Sequence, residues 1–96
     1  MRLKMPYKIE ITKAYTKKVI KFLKKHQEVT VKYKKIIFLL EANPFHPSLR
    51  LHKLTGKLDE IYSVSIDMQY RITIEFYIEN EIIIPINIGT HNDVYR

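Results

Sequence analysis

The sequence contains no cysteine, and this absence removes several kinds of chemistry at once. A disulfide scaffold, a thiolate metal site and a cysteine nucleophile are all excluded. Only two glycines are present, so the chain has no glycine-rich loop that could cradle a phosphate. The four histidines show no short ligand spacing and no carboxylate partner at helical pitch. We therefore expect neither a metal nor another cofactor.

Long apolar stretches are also missing. No run approaches the roughly 20 apolar residues that a membrane-spanning helix needs. The charged residues near the N-terminus are not followed by the apolar stretch of a secretory signal. Of the 96 residues, 46% are hydrophobic and 28% are charged, which is typical of a globular domain. We expect a single domain over residues 1–96 that works in the cytoplasm.

Positive charge is abundant, and it is unevenly distributed. Residues 1–57 contain 15 Lys and Arg against 3 Asp and Glu, a net charge of +12. Residues 58–96 contain 2 against 7, a net charge of −5, so the whole chain carries +7. A basic half of this size suggests a polyanionic partner, either nucleic acid or an acidic protein. The structural alternative is a solvated, lysine-rich helix face.

Apolar periodicity predicts the order strand, helix, helix and three strands, which is an α+β fold. Residues 7–11 alternate as a strand, and Thr12 can cap a helix over Lys13–His26. A second helix is expected to end near Ala42, because Asn43-Pro44 and His46-Pro47 interrupt it. Together the helices form a hairpin that packs on the sheet.

The last three strands are expected to form an antiparallel meander with one apolar face. That face carries the alternating apolar residues of each strand: Tyr62, Val64, Ile66, Ile72, Ile74, Phe76, Ile78, Ile82, Ile84, Ile86 and Ile88. Residues 79–81 supply a turn. Pro85 suits an edge or a bulge better than a regular interior position.

Three polar segments could meet at one end of this sheet: residues 50–56, Arg71 and residues 89–96. RNA cleavage by the neighbouring 2′-hydroxyl requires a base, an acid and a group that stabilises charge on the phosphate. His52 and His91 could exchange the protons, and the guanidinium of Arg71 could bind the phosphate, without a metal. Tyr95 could stack on a base or donate its hydroxyl.

Each of these residues also has a structural interpretation. A lone histidine in a loop is usually solvated, and His46 between two prolines fits that description best. His26 ends a helix, where a histidine interacts favourably with the helix dipole. An arginine at a strand start, such as Arg71, is more often a surface charge. Only their convergence would indicate a site.

Four segments, in this order, resemble the RelE/ParE superfamily of toxins. Residues 43–56, Asn-Pro-Phe-His-Pro-Ser-Leu-Arg-Leu-His-Lys-Leu-Thr-Gly, resemble the loop between the helical hairpin and the sheet. Residues 61–66, Ile-Tyr-Ser-Val-Ser-Ile, and 69–72, Gln-Tyr-Arg-Ile, are similar to the paired core strands. Residues 88–95, Ile-Gly-Thr-His-Asn-Asp-Val-Tyr, resemble the C-terminal signature of the YafQ-like branch. The resemblance extends from about Lys8 to Arg96.

The resemblance implies an mRNA interferase that binds the A site of the 70S ribosome and cleaves messenger RNA there. It implies a cognate antitoxin as a partner, in a toxin–antitoxin hetero-oligomer. By position, His52 would be the general base, Arg71 would contact the scissile phosphate and His91 would be an acid. Tyr95 would pack on an RNA base.

Charge alone, rather than the resemblance, suggests further RNA contacts at Arg50, Lys53 and Lys57. The chain also departs from the family pattern. Some branches have a second His or an Arg where Ser65 stands. YafQ-like members have Asp-Trp at Gln69-Tyr70 and an Arg at Asn87.

The main alternative is a ParE-like toxin that inhibits DNA gyrase without catalysis. It would share the fold and the antitoxin, and fold does not decide function. His52 and His91 favour the nuclease, because a pure inhibitor has no need of them. A plain RNA-binding module is disfavoured, because aromatic residues are not regularly interleaved with the basic ones.

Overall fold

The computed structural model describes residues 6–54 and 60–90. Within these ranges the chain forms a helical hairpin and a sheet of five strands. The helices are α1 (Lys13–Lys25) and α2 (Thr30–Ala42). The strands are β1 (Lys8–Ile9), β2 (His52–Lys53), β3 (Ile61–Ser65), β4 (Tyr70–Tyr77) and β5 (Ile82–Thr90). The predicted α+β class is confirmed.

The strands lie in the order β1-β5-β4-β3-β2. Strands β3, β4 and β5 form the predicted antiparallel meander. Strand β1 joins the edge by pairing in parallel with β5, at Lys8 with Ile82 and Ile9 with Ile83. Strand β2, which the sequence pattern did not predict, pairs antiparallel with β3 and extends the sheet at its other edge.

Local signals define the helix ends. The Thr12 hydroxyl accepts a hydrogen bond from the backbone N–H of Tyr15 at 3.1 Å, which confirms the predicted cap. Helix α1 ends at Lys25, and a 3₁₀ turn over Gln27–Val29 leads into α2. Each helix has 13 residues. In the described ranges, no helix has the length and apolar composition needed to cross a bilayer.

Both helices contribute to a core on one face of the sheet. The core residues that are 2% exposed or less include Tyr15, Val29, Leu40, Val64, Ile72, Ile74, Phe76 and Ile83. Removing such side chains from water is the main favourable contribution to folding, about 1.5–3 kcal/mol for each large one. The buried hydroxyl of Tyr15 bonds the Tyr33 hydroxyl at 2.9 Å, so its polar end is satisfied.

A β-bulge changes which residues of β5 face the core. Thr73 pairs with Asn87, but Ile74 pairs with Pro85, which makes Ile86 the extra residue. Pro85 therefore lies beside a bulge, as predicted. The Nζ of Lys18 donates to the carbonyl of Ile86 at 3.1 Å.

The expected core face of β5 is wrong for its first half. Ile83 is fully buried, whereas Ile82 and Ile84 pair with Tyr77 and Glu75 on the other face. The cause is the bulge, because one extra residue inverts the alternation on either side of it. Ile88, beyond the bulge, faces the core as expected.

Candidate active site

The face of the sheet opposite the helices is polar near its centre. His52, Ser63, Thr73 and Asn87 are in register across β2, β3, β4 and β5. Residues in register place their side chains on the same face. Ser63 is 0% exposed and Thr73 is 4% exposed, while His52 is exposed. The row therefore begins with the solvent-exposed imidazole of His52 and continues with the buried hydroxyl groups of Ser63 and Thr73.

Arg71 lies beside this row, on the same face. It is in register with Ser65 on β3 and with Gly89 on β5, and Gly89 places no side chain next to it. The Nε of Arg71 donates to the Ser63 hydroxyl at 3.0 Å. Its Nη2 donates to the backbone carbonyl of Arg50 at 3.1 Å. These two bonds fix the plane of the guanidinium and use two of its five N–H groups.

The carbonyl that accepts from Arg71 is positioned by an unusual turn. After a 3₁₀ helix over Pro47–Leu49, Arg50 has φ 48° and ψ 50°, in the left-handed region. A residue with a Cβ adopts this conformation at a cost of about 1–2 kcal/mol. Leu49 is 0% exposed and anchors the turn beneath β3. The buried leucine and the bond from Arg71 offset the cost.

The turn before β4 fixes the position at which this strand begins, one residue before Arg71. The Asp67 carboxylate accepts from the backbone N–H groups of Gln69 at 2.8 Å and Tyr70 at 2.9 Å. The Nζ of Lys32 lies 3.5 Å from the same carboxylate. Burial acts to raise the pKa of Asp67, but the two N–H groups and the lysine outweigh it and lower the pKa. The turn is therefore most stable with Asp67 ionised.

We expect Asp67→Asn to destabilise the protein at neutral pH and to lose this effect in acid. A carboxyl with a folded-state pKa below its unfolded value contributes stability above the unfolded pKa of about 4. That contribution disappears as the pH falls through the folded-state pKa. Urea unfolding of both proteins from pH 7 to pH 2 checks this. A difference in free energy of unfolding that stays constant over that range would contradict the assignment.

The structure brings some of the predicted site residues together and separates one. Arg50 and Arg71 are in direct contact through the Arg50 carbonyl, and His52 pairs with the serine that anchors Arg71. Lys53 pairs with Tyr62, so it occupies the alternate position of β2, on the other face from His52. Adjacent strand residues point apart, so Lys53 does not share the face of His52, and its predicted contact with RNA stays a prediction.

Three predicted residues, His91, Tyr95 and Lys57, lie outside the described residues. The other two histidines lie in turns at the ends of helices. The backbone N–H of His26 bonds the Phe22 carbonyl at the end of α1. The Nδ1 of His46 accepts from the backbone N–H of Ser48 at 3.1 Å, which caps the 3₁₀ helix. Residues 6–54 and 60–90 contain no cluster of three or more His, Asp or Glu that could hold a metal.

Sequence reasoning missed the groups that hold Arg71. Ser63 has the alternation that places it on the polar face with Ser65, so a signal for its position exists. No pattern indicates that it accepts from an arginine eight residues away. The Arg50 carbonyl could not have been found, because its position depends on a left-handed residue that is not glycine.

No protein-family model matches this sequence, and no curated protein matches it either. Solved structures do match, over nearly the whole length of both chains. The DinJ–YafQ toxin–antitoxin complex of Escherichia coli contains a chain with a TM-score of 0.76 at 19% identity. The match covers 95% of this chain and 99% of that one.

Two further structures extend the likeness to other bacteria. A metal-bound toxin from Helicobacter pylori has a TM-score of 0.69 at 18% identity, covering 92% of this chain and 98% of that one. The RelBE2 toxin–antitoxin complex of Mycobacterium tuberculosis gives 0.63 at 14% identity, covering 90% and 99%. The chain therefore has the RelE-like fold that its motifs predicted.

Proposed function

From this RelE-like fold we propose that the chain is the toxin of a type II toxin–antitoxin system and acts as an endoribonuclease. The observation that supports an enzyme is the arrangement of Arg71. A surface arginine with only a solvation role has no need of two fixed hydrogen bonds, one of them to a fully buried serine. A preorganised cation costs no rearrangement when charge develops in a reaction.

The chemistry proposed for this face is metal-independent attack of the 2′-hydroxyl on the adjacent phosphorus. A P–O bond to the 2′-oxygen forms and the bond to the 5′-oxygen breaks. Arg71 would bind a non-bridging phosphate oxygen with the N–H groups that point away from Ser63 and Arg50. His52, exposed on the same face, would accept the 2′-hydroxyl proton. In this proposal His91 returns a proton to the 5′-oxygen, and Tyr95 stacks on a base.

Partners follow from the charge distribution. The excess of 12 positive charges over residues 1–57 suits ribosomal RNA, and Arg50 and Lys57 would contact phosphates near the cut. Binding to the ribosome would orient the messenger, and orientation supplies much of the rate when catalytic groups are few. A cognate antitoxin with an acidic segment would neutralise the toxin. We propose that residues 1–96 act as one domain in the cytoplasm.

The direct test is primer extension on a messenger RNA in a reconstituted translation system, with purified protein, with and without ribosomes. We expect cuts at codon-spaced positions that depend on ribosomes and that disappear with His91→Ala. The histidine variant is compared with Val31→Ala, because Val31 is 76% exposed on α2, away from the polar face of the sheet.

Each outcome of this test is informative. Cuts in the absence of ribosomes would support the nuclease activity and reject its dependence on ribosomes. A folded protein that inhibits growth but leaves RNA intact would favour the alternative, a ParE-like inhibitor of DNA gyrase. Supercoiling assays with purified gyrase would then decide the matter.

A further inference from the structure

A second basic feature lies on the helix side of the sheet, at the same end of β4 as Arg71. It is a cavity of about 320 Å³ between α1 and the ends of β4 and β5. Its side-chain lining consists mainly of Lys18, Lys21, Phe22, Lys25, His26 and Tyr70, and residues 87–90 close it. Tyr70 and Arg71 are consecutive on β4, so their side chains lie on opposite faces of the sheet. Among the residues that the structure describes, none of the site residues predicted from the sequence lines this cavity.

The floor of the cavity is aromatic. The ring centroid of Phe22 lies 4.7 Å from that of His26 and 5.1 Å from that of Tyr70. The rings of His26 and Tyr70 are 4.9 Å apart, and the Tyr70 hydroxyl bonds the Nδ1 of His26 at 3.2 Å. The side chain of His26 is 31% exposed. The ring planes are inclined to one another by 40°, 79° and 46°, so the cluster offers partly solvated ring faces and edges against which a planar ring can pack.

The wall of the cavity is positively charged. Lys18, Lys21 and Lys25 are spaced at i, i+3 and i+7, so they share one face of α1. None of the described lining residues is acidic, and the Glu28 carboxylate lies 3.9 Å from the imidazole of His26. Lys18 already bonds the Ile86 carbonyl, which leaves Lys21 and Lys25 as the cations for a ligand.

We propose that this cavity binds one unpaired RNA nucleotide, with its base on His26 and Tyr70 and its phosphate at Lys21 and Lys25. Aromatic rings beside lysines are the combination that single-stranded nucleic acid requires. An acidic protein segment would satisfy the lysines but would make little use of the rings. That the ligand is RNA rests on the proposed function. The pocket adds a second contact, on the opposite side of the sheet from the proposed cut.

The chain supplies a matched control for the test. Lys17 and Lys24 are exposed on the same helix and do not line the cavity. The double variant Lys21→Gln/Lys25→Gln and the control Lys17→Gln/Lys24→Gln therefore remove the same charge from the same helix. Glutamine and lysine have similar helix propensities, so both variants should fold.

The probe is a five-nucleotide RNA with 2′-O-methyl groups, which cannot be cut. We expect the inner double variant to weaken its binding about tenfold or more. The slope of log K against log salt should fall by about 0.7, because the contact with one phosphate of a single strand is lost. The outer variant should change neither quantity. Equal effects of the two variants would overturn the pocket and leave only a general electrostatic attraction.

Stacking of a base on the aromatic rings can be measured separately from the charge of the lysines. In an NMR titration of the intact protein, adenosine monophosphate should shift the ring signals of His26 and Tyr70. It should displace the probe at least tenfold better than ribose 5-phosphate, because stacking contributes about that much for each base. Equal competition by the two compounds would refute base stacking. Displacement by an acidic peptide but not by adenosine monophosphate would assign the cavity to a protein partner.

Two sources of the nucleotide can be distinguished. If it comes from ribosomal RNA, the inner double variant should bind empty ribosomes more weakly than the outer variant does. If it comes from the messenger, the two variants should bind empty ribosomes equally and differ only when the messenger is present. The probe is not cut, so binding and cleavage are measured separately. A protein that binds the probe but cleaves no RNA would support the pocket and reject the proposed activity. A protein that cleaves RNA but does not bind the probe would support the activity and reject the pocket.

Discussion

Replacing Arg71 with alanine is expected to slow RNA cleavage by a factor of about 10²–10³ while the protein stays folded. The guanidinium is aimed by two bonds, from Nε to the Ser63 hydroxyl and from Nη2 to the Arg50 carbonyl. The cation would face the charge that grows on the phosphate during attack. The measurement is the single-turnover rate of messenger cleavage on ribosomes, together with a thermal melt.

Two variants separate the charge from its orientation. Arg71→Lys keeps the charge but loses the fork of donors, so it should recover only part of the rate. Ser63→Ala removes the acceptor of Nε and keeps the guanidinium, so its rate should lie between those of wild type and Arg71→Ala. Val31→Ala, at an uncharged position of α2 that is 76% exposed, is the control. Unchanged cleavage by a folded Arg71→Ala protein would reject the site.

The parts of the fold that could be predicted depend on neighbours in the sequence. Thr12 caps α1 through Tyr15, three residues away, and Asn43-Pro44 ends α2 within one turn. The pairing of β1 with β5 joins residues more than 70 positions apart, and its register is set by the packed core. The bulge was indicated only in part, because Pro85 favoured an edge or a bulge but did not show that Ile86 would be the extra residue.

The candidate site was likewise predictable only in part. Residue type identified Arg71 and His52, since few side chains can bind a phosphate or exchange a proton at neutral pH. Their surroundings could not be derived, because they depend on the β2–β3 pairing and on a left-handed Arg50. The same pairing turns Lys53 away from His52. A two-residue strand has no periodicity from which this orientation could be predicted.

The two faces of the sheet therefore have different roles, one in the proposed catalysis and the other in stability. Of the proposed catalytic groups, His52 and Arg71 lie on the polar face, whereas the aromatic residues that hold the layers together lie on the other. Phe76 is at the centre of the second group, at ring-centroid distances of 5.8 Å from Tyr7, 5.6 Å from Phe45 and 5.7 Å from Tyr62. These partners come from the segment before β1, the loop after α2, and β3. One side chain thus connects three parts of the chain.

Phe76→Ala is accordingly expected to lower the free energy of unfolding by about 3–5 kcal/mol. The side chain is 1% exposed, and its removal leaves a cavity that the surrounding rings cannot fill without moving. For a domain of this size, the melting temperature should fall by at least roughly 12 °C. Ile78→Ala, two residues along the chain at a position that is 44% exposed, should cost about 1 kcal/mol or less.

The decisive comparison is cleavage by Phe76→Ala at a low temperature where urea titration shows it to be folded. Phe76 and Arg71 lie on opposite faces of β4, so the rate per folded molecule should stay close to wild type. Arg71→Ala should show the opposite pattern, with a normal melting temperature and little cleavage. If the folded Phe76→Ala protein also lost cleavage, the aromatic core would be needed to shape the polar face, and the two faces would not be independent.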